Sequence, residues 1–249
     1  MRLTLAWDGR NALLLVLETV FFSAILTIAW LPYAYLLRWA WHSLPLPAAL
    51  FTSIVALLTA VMTTAIVVPL GVRIVGVRTP VGNHQVRGWT AVRWATANAG
   101  VILLRWLGLD LLRCTPWMNV YLRLMGAQLG DRVIVNTSQL YDIDLLDIGD
   151  DTMIGGDAVI MAHSAQEGRL TVAPVRIGRG VTIGHMAVIH GGVEIGDGAI
   201  VGAMALVPRN TRIPPGERWG GVPARPLGRA DTGAKPCQAA GDDQGLTAR

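Results

Sequence analysis

Charge is scarce in this chain. Only 15% of its residues are Asp, Glu, Lys or Arg, while 52% are hydrophobic. That balance is too apolar for an ordinary soluble protein of 249 residues. Cysteine is scarcer still. Cys114 and Cys237 stand far apart with no CxxC, which removes a disulfide framework and a cysteine metal site and points to a reducing compartment. There is no basic run and the net charge is only +4, so nucleic acid is not an expected partner.

What is present is apolar length, concentrated in the first third. The run from Asn11 to Leu37 is almost wholly apolar, and roughly 20 such residues span a bilayer core as a helix. Pro32 is expected to kink or end this span. Glu18 is its one ionisable group. Its place near the start suits snorkelling or pairing with a neighbouring helix, and a substrate or proton contact is the sharper alternative. After the turn from Trp41 to Pro47, a second run from Ala48 to Val72 is also long enough to span. No small-residue cleavage site clearly follows the first run, so a removed signal peptide is not expected. Arg2 and Arg10 precede the pair, Arg73, Arg78, Arg87 and Arg93 follow it, and only Arg38 lies near the turn. The positive-inside rule then puts both ends in the cytoplasm.

Residues 88–112 mix Trp89, Trp94 and Trp106 with Arg93 and Arg105. This composition suits a helix lying in the headgroup layer, with packing against the rest of the protein as the alternative.

The second half keeps a six-residue beat. Ile177, Ile183, Ile189, Ile195, Val201, Val207 and Ile213 are evenly spaced, and Ile148, Ile154 and Ile160 form an earlier run. Glycine follows the aliphatic residue at 149, 155, 178, 184, 196 and 202. A helix repeats at about 3.6 residues and a strand at 2, so neither yields this period. A solenoid of short strands does, with one aliphatic side chain per hexad in a narrow core and small residues at the corners. The beat lapses between Met161 and Arg176, as expected for a loop thrown out of a corner. The expected organisation is an anchor over 1–87, connecting helices over 88–128, a repeat domain over 129–227 and a disordered polar tail over 228–249.

These hexads, closed by Gly221-Val-Pro-Ala-Arg-Pro226, resemble the hexapeptide-repeat acyltransferases. The resemblance implies a left-handed parallel β-helix, preceded here by two transmembrane helices and an interfacial helix. It further implies a homotrimer with sites between subunits and acetyl-CoA or another acyl-CoA as donor. The segment Cys114 to Gly130 is similar to the stretch that leads into the β-helix in membrane-associated terminal domains of some non-ribosomal peptide synthetases. The chain is expected to stand apart from those domains, without an adenylation or carrier module.

Acyl transfer needs a base for the attacking hydroxyl or amine, and histidine serves near neutral pH. The family's catalytic histidine sits where the coil runs into the excursion, which implies His163. Asp142, Asp144 and Glu167 stand as alternative carboxylates to orient it. Gly202 and Ala203 match the positions along which the family lays the pantetheine arm, and Arg209 and Arg225 match its phosphate-binding basic positions. The stretch Ile183 to Gly191 also resembles the zinc-binding coil of γ-class carbonic anhydrases, implying His185 and His190 as metal ligands. The third ligand position in that pattern falls on Met161 here, two residues before His163.

The expected protein is therefore an integral membrane acyltransferase with its β-helix in the cytoplasm. It would transfer an acetyl or short acyl group to a hydroxyl or amine on a small-molecule or lipid-linked acceptor. A zinc lyase and a non-catalytic trimeric membrane scaffold are the alternatives.

Overall fold

A computed structural model describes residues 9–74, 80–85 and 89–230. Arg2, Arg78, Arg87, Cys237, the tail from 231 and the side chains of Glu18 and Trp89 lie outside the described residues.

Two helices come first, α1 (Gly9–Ser43) and α2 (Leu46–Ile74). They fold back on each other as an antiparallel pair. Trp41 Nε1 donates to Ser53 Oγ near the turn, Trp30 Nε1 donates to Thr64 Oγ1 further along, and Ile25 meets Gly71 beyond that. The helix runs through Pro32, so of the two expected effects, a kink or an end, it does not end there. α1 carries Val20, Ile28, Leu31, Tyr35 and Trp39 exposed, and α2 carries Leu50, Phe51, Ile54, Leu57 and Leu58 exposed. Both helices are long and apolar enough to cross a bilayer. One side of the second half of α2 is covered by protein, where Val61, Thr64, Ala65, Val68 and Val72 are buried, while Ile66, Leu70 and Ile74 stay exposed.

Strand β1 (Gly82–Gln85) and helices α3 (Trp89–Trp106) and α4 (Pro116–Met125) follow. Gly100 lies against Phe22, Val68 and Val72, and Gly108 lies against Val61. α3 thus runs back alongside α2, packed on it rather than lying free in a headgroup layer. Its side facing away from α2 meets the repeat domain, as the site below requires. α4 begins at Thr115-Pro116, where the fixed φ of proline suits a first turn, and stops at Gly126 in the left-handed conformation.

The repeat domain is a parallel β-helix. In chain order its strands are β2 (Gln128–Leu129), β3 (Ile134–Val135), β4 (Leu146–Ile148), β5 (Met153–Ile154) and β6 (Val159–Ile160). A hairpin of β7 (His163–Gln166) and β8 (Arg169–Val172) then leaves the coil. The coil resumes with β9 (Val175–Ile177), β10 (Thr182–Ile183), β11 (Val188–Ile189), β12 (Glu194–Ile195), β13 (Ile200–Val201), β14 (Leu206–Val207) and β15 (Arg212–Ile213). It closes with β16 (Glu217–Gly220) and β17 (Arg225–Arg229).

Three hexads make one turn, so aliphatic residues stack in register along each of three faces. One face is β2-β4-β9-β12-β15, with Ile148, Ile177, Ile195 and Ile213 in line. The second is β3-β5-β10-β13-β16, with Val135, Ile154, Ile183, Val201 and Trp219 in line. The third is β6-β11-β14, with Ile160, Ile189 and Val207 in line. The aliphatic members of these lines are buried and form one core that continues into α2, α3 and α4.

The lapse in the beat is a built hairpin, not an irregular loop. Its two-residue turn places Glu167 at φ 51° and Gly168 at φ 74°, the geometry that matches the twist of antiparallel strands. β1 adds to the outer edge of β8, antiparallel, with Gln85 opposite Arg169. This third strand was not read from sequence, since residues 82–85 were assigned to the anchor. Below the hairpin, Leu170 and Val172 pack on Ala91, Trp94 and Leu145. β17 pairs antiparallel with β16 and carries ordered chain to Arg229, two residues beyond the expected end of the domain.

Candidate active site

The coil leaves its last buried residue, Ala162, and turns out into the hairpin at His163. Next to it lies Asp142, held at φ 52° and ψ 47° ahead of a single 3₁₀ turn over Ile143–Leu145. The Asp142 side chain is fully enclosed, and that of His163 is 20% exposed. Of the three carboxylates left open by the sequence, Asp142 is the one that reaches the imidazole. Asp144 lies against Gly126 instead, and Glu167 is exposed at the tip of the hairpin.

Asp142 Oδ2 accepts from His163 Nδ1 at 2.6 Å and from the Ala162 amide at 3.1 Å. Its Oδ1 accepts from Trp94 Nε1 at 2.7 Å and from Asn98 Nδ2 at 3.0 Å. The Asp142 amide in turn donates to Asn98 Oδ1 at 3.2 Å. Four N–H donors thus converge on one buried carboxylate, which is what a buried charge requires. Because a carboxylate can only accept, the His163 proton sits on Nδ1 and the lone pair on Nε2. The indole of Trp94 packs edge-on at 4.8 Å between ring centres and Tyr141 at 6.1 Å, fixing the plane of the imidazole. The arrangement presents a held, outward-directed basic nitrogen.

His190 lies one coil along, following Ile189, which pairs with Ile160. Its Nδ1 is enclosed without a hydrogen-bond partner. Burial, then the positive charge of Arg209, then His163 push the His190 pKa below its ordinary value. His190 is therefore neutral at pH 7. Its burial as the neutral form contributes stability above an unfolded value near 6.5, which is lost as pH falls through the lower folded value.

His163, His190 and Arg209 thus share the corner that follows β6, β11 and β14. His185, Gly202 and Ala203 do not join them. They sit at the corner between β10 and β11 and between β13 and β14, across the width of the third face. Ala203 is exposed there, and Arg225 is exposed on β17. A zinc site does not fit within one chain. His185 and His190 occupy different corners, Met161 offers a thioether where a third imidazole would be needed, and among the described residues no three His, Cys, Asp or Glu side chains cluster for a metal.

The sequence reading missed Trp94, Asn98 and Tyr141. Trp94 figured only in the composition of a helix that suited either the headgroup layer or packing against the rest of the protein. The available signal was Asn98, a lone carboxamide in an apolar helix, since a buried amide demands partners. Replacing Asn98 with Ala removes a donor to Oδ1 and the acceptor for the Asp142 amide, so it should cost about 1–3 kcal/mol of stability. Trp94→Phe keeps the ring packing, loses one donor and should cost about half as much. Thermal unfolding of the detergent-solubilised chain measures both, and two unshifted transitions would contradict this account of the network.

Residues 174–209 match the family model "Bacterial transferase hexapeptide (six repeats)". The chain is 24% identical to the delta-poly-L-ornithine synthetase of Acinetobacter baumannii over 190 residues, 76% of this chain and 14% of the relative. It is 40% identical to the mitochondrial gamma carbonic anhydrase 1 of Arabidopsis thaliana over 102 residues, 34% of this chain and 36% of the relative. The chain thus spans well under half the length of either curated protein. Among solved structures, a hexapeptide-repeat acetyltransferase of Vibrio cholerae in complex with acetyl-CoA is 28% identical with a TM-score of 0.39. That match covers 42% of this chain and 61% of the other.

Proposed function

We propose that this chain, whose repeats are of the bacterial transferase hexapeptide type, is an acyltransferase that uses acetyl-CoA or another short acyl-CoA. The observation that carries the reading is the enclosed Asp142–His163 pair at the root of the excursion hairpin. His163 Nε2 takes the proton of the acceptor hydroxyl or amine as that group attacks the thioester carbonyl carbon. The tetrahedral intermediate collapses, the C–S bond breaks, and the proton on Nε2 passes to the departing thiolate. Asp142 stays ionised throughout and holds the imidazole tautomer.

In this reading α1 and α2 anchor the protein in a membrane, supported by their length and apolar composition, and the coil, taken as left-handed, faces the cytosol where CoA thioesters are made, supported by the arginine distribution. Gly202 and Ala203 lie a full face away from His163. A donor laid along their corner meets His163 through a neighbouring copy, which favours a homotrimer with sites between subunits. Arg209 is then the phosphate-binding cation nearest the base, with Arg225 further along the donor.

The test uses the full chain in detergent. Calorimetry with acetyl-CoA should give saturable binding, and a panel of alcohols and amines should release thiol from acetyl-CoA in an acceptor-dependent way. No binding and no release would instead favour a scaffold. The zinc-lyase reading draws on the 40% identity over 102 residues and on His185 and His190. Metal analysis separates it, since about one zinc per chain, lost in His190→Ala, would favour that reading over transfer.

A further inference from the structure

The acyl-transfer reading leaves the acceptor open, and α3 carries features that the dyad does not use. Arg105 lies near the end of α3, and its Nη1 donates to the Tyr141 hydroxyl at 2.8 Å. The Tyr141 ring is the one that stands edge-on to His163. Arg105 Nε is enclosed without a hydrogen-bond partner, and among the described residues no carboxylate pairs with this guanidinium. The site thus has an uncompensated, half-buried cation one aromatic ring away from the proposed base.

Beside Arg105 runs an apolar track. Ile102 is 44% exposed, Trp106 86% and Leu111 60%. Ile102 and Trp106 are one helical turn apart, and Arg105 falls within the same turn. Leu111 and the buried Val61 both border Gly108, so this end of the track abuts α2 at Val61. One turn further along α2, Leu57 and Leu58 are exposed. Exposed apolar side chains thus lie beside the site at Ile102, Trp106 and Leu111 and, past the buried Val61, again on α2 at Leu57 and Leu58, with one cation at the head. With Nε enclosed, the Nη groups of Arg105 are the donors left to meet a ligand. A phosphate ester is a group that guanidinium donors recognise, and an alkyl chain is what the track would cover.

We propose that the acceptor is a membrane amphiphile with a phosphate close to its reacting hydroxyl or amine. Its phosphate sits on Arg105 beside the Tyr141 hydroxyl, its chain follows Ile102, Trp106 and Leu111, and its nucleophile reaches His163. This inference rests on the transferase reading, but its test reads binding rather than turnover.

The full chain in a neutral detergent is titrated with a single-chain lysophosphatidylethanolamine and with a neutral monoacylglycerol of the same chain length. The phosphate lipid should bind about tenfold more tightly, the worth of one charge-assisted hydrogen bond. Arg105→Gln should abolish that preference, and Trp106→Ala should weaken both lipids alike. Inorganic phosphate at millimolar concentration should not displace the lipid. Equal affinity of the wild type for the two lipids, a preference that survives Arg105→Gln, or displacement by free phosphate overturns the proposal. Should Arg105→Gln fail to fold, Tyr141→Phe removes only the hydroxyl that holds the guanidinium. It should shrink the preference by about threefold, and an unchanged preference counts against the assignment. A chain that binds selectively yet never transfers refutes the transferase reading alone, and one that transfers without selectivity refutes this one alone.

Discussion

Asp142→Asn should lower the turnover of acyl transfer by about 10²- to 10⁴-fold, close to the loss expected for His163→Ala. The two substitutions fail for different reasons. His163→Ala removes the nitrogen that takes the acceptor's proton. Asp142→Asn keeps the volume and leaves the imidazole in place, but it puts an NH₂ group where four N–H donors converge. With its NH₂ at the Oδ1 position, the amide opposes Trp94, whose indole N–H can only donate, and Asn98, which could present its oxygen there only by flipping its amide and giving up its bonds to the Trp94 carbonyl and the Asp142 amide. With the NH₂ at the Oδ2 position, it opposes the Ala162 amide but can donate to His163 Nδ1 if the imidazole shifts its proton to Nε2. The second arrangement is the less costly one, and it leaves the outward nitrogen protonated and unable to act as base. Acetyl-CoA affinity should hold within about twofold in both variants, because neither residue is assigned to the donor. Steady-state kinetics beside calorimetric binding distinguishes these effects. Near wild-type turnover in Asp142→Asn would mean that the pair is only a structural contact.

The repeat domain was legible because its physics is periodic. Each hexad contributes one aliphatic side chain to a core with room for little else, so the identities at 177, 183, 189, 195, 201, 207 and 213 report the winding directly. The place of His163 at the root of the hairpin was legible for a related reason. The residue follows a core position at the point where the beat stops, so it must lie at the root of whatever leaves the coil. The two long helices showed as apolar runs with few charges, a signal of length and composition alone.

What the sequence hid is long-range. Asp142, Asp144 and Glu167 look alike in the chain, and the choice among them is made by the left-handed turn at Asp142 and by α3 packing across it. Trp94 and Asn98 are 48 and 44 residues from Asp142, and no spacing rule links an apolar helix to one carboxylate of a distant coil. The sequence left α3 open between a headgroup-layer helix and a packed one for the same reason. Its apolar residues serve two partners at once, α2 on one side and the hairpin on the other, so its polar and apolar residues do not segregate cleanly into a solvent face and a core face. β1 escaped notice because four residues, Gly-Asn-His-Gln, carry no strand pattern of their own and are drawn into register by the edge of β8.

Gly184→Ala should destabilise the repeat domain by about 3 kcal/mol or more, lowering the thermal transition by about 6–12 °C. Gly184 stands at a corner one coil below Gly202, and its amide donates to Val201 O at 2.8 Å. A methyl there would lie 2.6 Å from the Gly202 carbonyl carbon and 2.7 Å from Ala203 Cα, and nearer still to the Ala203 amide nitrogen. Every one of those atoms is backbone of the next coil, so no flexible side chain can yield. The coils must part, and parting them lengthens the ladder bonds on either side of the corner. Gly168→Ala provides the comparison. Gly168 has φ 74° in the hairpin turn, and nothing lies within 4 Å of the added methyl, so only the left-handed backbone opposes it, at about 1 kcal/mol. Thermal unfolding followed by circular dichroism in detergent ranks the two variants. If Gly184→Ala proves no more costly than Gly168→Ala, the coils are not stacked at this spacing, and the register that places His190 and Arg209 beside His163 fails with them.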